Sequence, residues 1–135
     1  MKTLKSLLVL AIVLFASCAN NEETKTLNGN WEVISMKDVS DVEAPPPSFI
    51  INLETMKVAG FSGCNRFFGS ITTQDNSLNF HDMGGTKKAC PDFTIENLFI
   101  TTIPEVKSFE FKGNKLQFLS ESNEVIMILK SIAID

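Results

Sequence analysis

The sequence predicts an α+β, mainly β domain: a curled antiparallel sheet or incomplete barrel of about eight strands, with one helix covering the open side. Two observations carry that reading. Short apolar stretches separated by turn residues recur from Trp31 to Leu129, whereas one stretch alone, Ile95 to Ile103, sets its apolar residues at helical spacing. The chain has 135 residues, enough for one domain and a short extension. So many strands with so little helix leave sheet edges that need cover, and the helix is the element available to provide it.

The elements follow in order. Trp31-Glu32-Val33-Ile34-Ser35-Met36 alternates as a strand does. Asp41 to Ser48 must be a loop, because Pro45-Pro46-Pro47 removes three consecutive amide donors. Phe49 to Leu53 and Lys57 to Ser62 are strands joined by Glu54-Thr55-Met56, the length of a hairpin connection. Gly63 to Gly69 is a turn leading into a strand that runs through Thr73; Gln74-Asp75-Asn76 turns the chain, and Ser77 to His81 forms the next strand. Pro91-Asp92-Phe93-Thr94 starts the helix, since Pro is tolerated in a first turn, Asp caps free amides, and Glu96 lies where the helix dipole favours an anion. Ile95, Leu98, Phe99, Thr102 and Ile103 make one buried stripe, and Pro104 limits its extent. Phe109/Phe111, Leu116/Phe118 and Val125 to Leu129 mark three closing strands, with turns at Gly113-Asn114 and near Ser122-Asn123.

The N-terminus has a separate purpose. Met1-Lys2-Thr3-Leu4-Lys5 is a basic segment followed by the nine-residue apolar run Leu7 to Phe15, the pattern of a secretion signal. Nine helical residues at ~1.5 Å each cover about half of a ~30 Å hydrocarbon core, so the run is too short to span it. Phe15-Ala16-Ser17-Cys18 resembles the lipobox, in which the Cys accepts a diacylglycerol and becomes the new N-terminus. The expected organisation is therefore a signal peptide over 1–17, a lipidated Cys18 and flexible tether over 18–28, and a domain over 29–135. Ala19 lacks the Asp that retains lipoproteins at the inner membrane, whereas Glu22-Glu23 resembles a surface-export patch. The expected location is the outer membrane, its periplasmic face ahead of the cell surface.

Removal of residues 1–17 takes away only Lys2 and Lys5 among the charges, leaving ten basic against sixteen acidic residues. An acidic domain is a poor polyanion binder, which argues against nucleic acid as a partner. Three Cys are present, and with Cys18 assigned to lipid, Cys64 and Cys90 remain for a bridge in an oxidising envelope. Closing the 25-residue stretch between them is worth ~3.5 kcal/mol on chain entropy. The competing reading is a metal site of Cys64, His81 and Cys90, which has neither a fourth ligand nor paired-Cys spacing.

Trp31 in the first strand, Val58-Ala59-Gly60-Phe61-Ser62-Gly63-Cys64-Asn65-Arg66-Phe67-Phe68-Gly69, Thr86-Lys87-Lys88-Ala89-Cys90, the helix with Glu96 and the Phe118 to Leu129 hairpin together resemble the META domain family, which includes HslJ. The resemblance covers about residues 27 to 132. Phe67-Phe68 departs from the family in lacking the Tyr often found in that aromatic pair. The resemblance implies a secreted or lipid-anchored envelope protein linked to stress and drug tolerance. It also implies a fold similar to pilotin lipoproteins, which hold an acyl chain, and it brings no catalytic residue with it.

Nothing in the residues composes a reaction centre. His81 is the only histidine, and Asp82 beside it belongs on the opposite face of a strand, which argues against a Ser-His-Asp triad. Gly60, Gly63, Gly69, Gly84 and Gly85 lack the spacing of a phosphate loop and read as glycines needed for positive φ. The expected function is a non-enzymatic, membrane-anchored binding or interaction module without cofactor or metal. Asn65, Arg66, Phe67 and Phe68 form its candidate ligand or partner loop, with an envelope protein or apolar ligand as the partner. Two alternatives stand beside it. One is a carrier with a cavity lined by some of Phe49, Phe61, Phe67, Phe80, Phe99, Phe109, Phe111 and Phe118. The other is an inhibitor or enzyme using a cluster of Arg66, His81 and Lys87.

Overall fold

Nine segments form strands in the computed structural model, which describes residues 25–42 and 45–133. In chain order they are β1 (Gly29–Met36), β2 (Val39–Ser40), β3 (Ser48–Asn52), β4 (Lys57–Phe61), β5 (Arg66–Gln74), β6 (Ser77–Gly85), β7 (Ser108–Lys112), β8 (Lys115–Leu119) and β9 (Val125–Ser131). All pairings are antiparallel, and the sheet order β2-β1-β3-β4-β5-β6-β7-β8-β9 closes on itself when β9 pairs with β1. The expected curled antiparallel sheet is thus observed. Its ninth strand, β2, is two residues long and continues the edge of β1 beyond the reach of β3, too short to leave a pattern in the sequence.

The ring is held unevenly. β5 and β6 pair over seven positions, but β6 meets β7 only at Ser77 opposite Ser108. The upper part of β6 therefore lacks a strand on that side. Helix α1 (Thr94–Thr102), continued by a 3-10 turn over Ile103–Glu105, lies there and inserts Phe99, Thr102 and Ile103 into the core. This is the helix over the open side that the strand-to-helix ratio predicts. Asp92 Oδ1 accepts the Thr94 amide and hydroxyl at 2.8 and 2.6 Å, so the Asp fixes the turn just ahead of the helix. Those bonds hold its carboxyl below the ordinary carboxylate range.

Aromatic rings meet at the centre of the interior. Phe49 is fully buried, and its ring lies 5.4 to 5.9 Å from those of Phe67, Phe80, Phe99 and Phe118, among Met36, Ile71, Leu78, Leu116 and Leu129. Most of the proposed Phe set thus packs in or against the core. The fold also starts before Gly29. Leu27 is 3% exposed, its carbonyl accepts Trp31 Nε1–H at 2.9 Å, and Asn28 Oδ1 accepts the Leu53 amide, so the end of the stretch read as tether belongs to the domain. The signal segment, Cys18 and residues 19–24 lie outside the described residues.

Candidate functional site

Where α1 leaves the upper ends of β5 and β6, a cleft of about 460 Å³ remains open. Its floor is Phe67, Phe99 and Ile103; its rim carries Arg66, Lys87 and Ile100. The alternation of β5 assigns the candidate loop to different places. Arg66 points outward at the mouth, Phe67 points inward, and Phe68, 59% exposed, lies on the outer face of the sheet and outside the cleft. Phe68 continues a cross-strand line from Ile50 through Ala59 to Gly84, where a glycine leaves room for its ring.

Asn65 lines the same cleft, and its side-chain amide is held by bonds within the fold. It is buried, and its amide joins three segments: Nδ2 donates to Glu96 Oε2 at 3.0 Å, while Oδ1 accepts the Thr86 hydroxyl at 2.9 Å and the Lys88 amide at 2.6 Å. The two ends of the amide face groups of opposite kind, which fixes its orientation. Glu96, 5% exposed in the first turn of α1, accepts two more bonds on Oε1, from the Ser62 hydroxyl and from the Asn65 backbone amide at 2.9 Å. Burial pushes the Glu96 carboxyl up, and the bonds from Ser62 and from the Asn65 side chain and backbone together outweigh it, so its pKa lies below the ordinary 4.5. The sequence placed Glu96 at the helix start for its dipole. Its larger role, as anchor of the β4–β5 turn, was missed because Ser62 and Asn65 are far away in the chain.

Cys64 and Cys90 are bonded to each other with Cα atoms 6.2 Å apart, tying this same turn to the segment before α1. Both thiols are consumed, which removes the Cys64, His81, Cys90 metal alternative; among the described residues no group of three potential ligands exists. Gly63, between Ser62 and Cys64, has φ +117°, and an added Cβ would sit 3.0 Å from the Glu96 amide. It is the one member of the five-glycine set with positive φ. At Gly60 the need is space, since a Cβ would meet the Ser48 carbonyl oxygen at 1.9 Å.

His81 does not join Arg66 and Lys87 at the cleft. The expectation that His81 and Asp82 face apart fails, because β6 bulges there and Asp82 takes φ +52°, setting its carboxylate 2.8 Å from His81 Nδ1. Ser70 stands opposite His81, and its hydroxyl accepts a 2.9 Å bond from Lys57 Nζ.

The solved structures similar to this chain include an NMR structure of a protein from Burkholderia xenovorans, at 20% identity and TM-score 0.62 over 79% of this chain and 83% of that one. A second NMR structure matches at 20% identity and TM-score 0.62, over 77% and 89%. A crystal structure of a duf4847 family protein from Bacteroides vulgatus matches at 13% identity and TM-score 0.55, over 80% and 95%. At these identities the likeness is one of fold. No curated protein matches the sequence. The META domain family model matches residues 24–132, a span that begins just ahead of buried Leu27 and takes in the turn, the bridge and α1. The chain belongs to the META domain family.

Proposed function

We propose that the protein is a lipid-anchored module of the cell envelope that binds a partner at the α1 cleft and catalyses no reaction. The observation that carries this is the contrast between two sets of polar groups. Those of Ser62, Asn65 and Glu96 line the cleft but are spent on hydrogen bonds within the fold, whereas Arg66 and Lys87 stand exposed at the rim with no ion pair among the described residues. Cations beside an apolar floor complement a partner segment that carries an apolar side chain next to a carboxylate. Cys18 supplies the anchor, and the link to stress and drug tolerance rests on the family.

The test places a photo-crosslinking residue at Ile100, which is 57% exposed on the cleft rim, in the full chain in its own membrane. The expected result is a discrete adduct that Arg66→Glu removes and Cys18→Ser depletes. No adduct, or one indifferent to Arg66→Glu, would sink the reading. The cleft volume also falls within the ~300–1,000 Å³ of small-molecule sites, so a small apolar anion is the second reading, recognised by an adduct of small mass.

A further inference from the structure

Lys112, Lys115 and Lys130 are direct cross-strand partners on β7, β8 and β9. Directly opposed residues share a face, and because the next residues Leu116 and Leu129 are fully buried, this face is the outer one. Like charges set directly opposite one another destabilise a sheet. Here three stand in succession, in a chain whose net charge is −4. Lys130 reaches Glu32 at 2.7 Å, but Lys112 and Lys115 have no ion pair among the described residues. Lys25 adds a fourth ammonium by donating to the Gly113 carbonyl between Lys112 and Lys115.

The place of this row matters as much as its charge. Connections between successive strands of an up-and-down sheet alternate between its ends, so the entry of the chain at Lys25 shares one end with the β3–β4 and β7–β8 turns, while α1 and the cleft occupy the other. The contacts of Asn28 with Leu53 and of Lys25 with Gly113 agree with that assignment. Six residues lie between Cys18 and Lys25, and the seven steps along the chain reach at most ~25 Å.

We propose that the Lys112, Lys115 and Lys130 row, with Lys25, is a docking surface for anionic lipid headgroups that holds the anchored domain on the membrane with its α1 cleft turned away. This rests on the reading of Cys18 as the anchor. The opposed lysines are then relieved by headgroup phosphates, and a tether too short to let the domain roam is matched by a surface that fixes its orientation. The overall acidity of the chain disfavours an extended polyanion on the same site.

The test reconstitutes the lipidated protein in phosphatidylethanolamine vesicles with or without phosphatidylglycerol and reads lysine acetylation by mass spectrometry. Lys87 and Lys88, at the opposite end, are the internal reference. With phosphatidylglycerol, Lys112 and Lys115 should label about fivefold more slowly, the effect expected per lysine at an anionic surface, and high salt should reverse it. Substitution of all three row lysines by Gln should remove the lipid-dependent protection of Lys25. Equal labelling in the two vesicle types, or protection that appears only when envelope proteins are added, would overturn the proposal. Flotation separates this failure from that of the anchor: a Cys18→Ser chain that floats like wild type with vesicles lacking phosphatidylglycerol refutes the anchor, whereas a wild-type chain that floats with phosphatidylglycerol vesicles while its lysines stay unprotected refutes only the docking.

Discussion

Glu96 shows how much one side chain can be asked to hold. Its carboxylate is buried without a cation, and the three bonds from Ser62 and Asn65 take the place of water. Glu96→Ala should therefore cost about 2–4 kcal/mol, read from urea unfolding, because it strands the Asn65 amide groups as well as losing bonds to a charged acceptor. A folded-state pKa below 4.5 means that this stabilisation is present above that value and is lost as pH falls through the folded value. Wild type should lose stability steeply below pH 4.5, and Glu96→Gln should flatten that slope; parallel curves would refute the assignment. Asn65→Asp should reverse the sign. A second carboxylate where Nδ2 now lies 3.0 Å from Glu96 Oε2 would raise the pKa of the pair, so that variant should be more stable below the raised pKa and weaken as pH rises through it.

The elements around α1 are joined by covalent as well as polar links. The Cys64–Cys90 bridge closes a stretch that, left open, gives the unfolded chain more freedom, and the double Cys→Ser variant should lose about 3 kcal/mol, with wild type in reductant unfolding at the same urea concentration. If reductant leaves the midpoint unchanged, the bridge does not bear on stability. Much of this region was legible in the sequence: Pro91, Asp92 and Pro104 bracket the helix because each acts locally, through a missing amide, an oxygen that fixes the turn before the helix or a blocked turn. The eight longer strands were legible for the same reason, as short apolar stretches bounded by turn residues. What could not be read there depends on partners distant in the chain. Asn65 looked like a loop residue because nothing near it in sequence reveals Thr86, Lys88 and Glu96. The extension of β6 through Met83-Gly84-Gly85 carries no strand pattern, since its glycines serve the neighbouring Phe68 ring and Arg66 carbonyl.

At the scale of the whole molecule, the uneven ring fixes where it should open. The seam between β6 and β7 has one opposed pair flanked by two bonds, Leu78 N–H to the Lys107 carbonyl at 3.0 Å and Phe109 N–H to the Asn76 carbonyl at 2.9 Å. Across β1 and β9, by contrast, five positions pair. Above Ser77 no strand flanks β6 on that side, and α1 covers the gap: its Phe99 is 2% exposed, with its ring centre 5.4 Å from that of Phe49 and 5.0 Å from that of Phe67. Phe99→Ala should cost about 3–5 kcal/mol, as loss of a fully buried aromatic ring does, and the loss should not be spread evenly. Native-state hydrogen exchange should show the amides of Leu78, Phe109 and the upper half of β6 exchanging through a local opening well below the global unfolding energy, while the β1–β9 amides still require global unfolding. Since Phe67 and Phe99 also floor the cleft, a ligand seated there should slow exchange along that seam first. Uniform exchange around the ring in the Phe99→Ala chain would mean that the helix is a passive cover and the sheet closes without it.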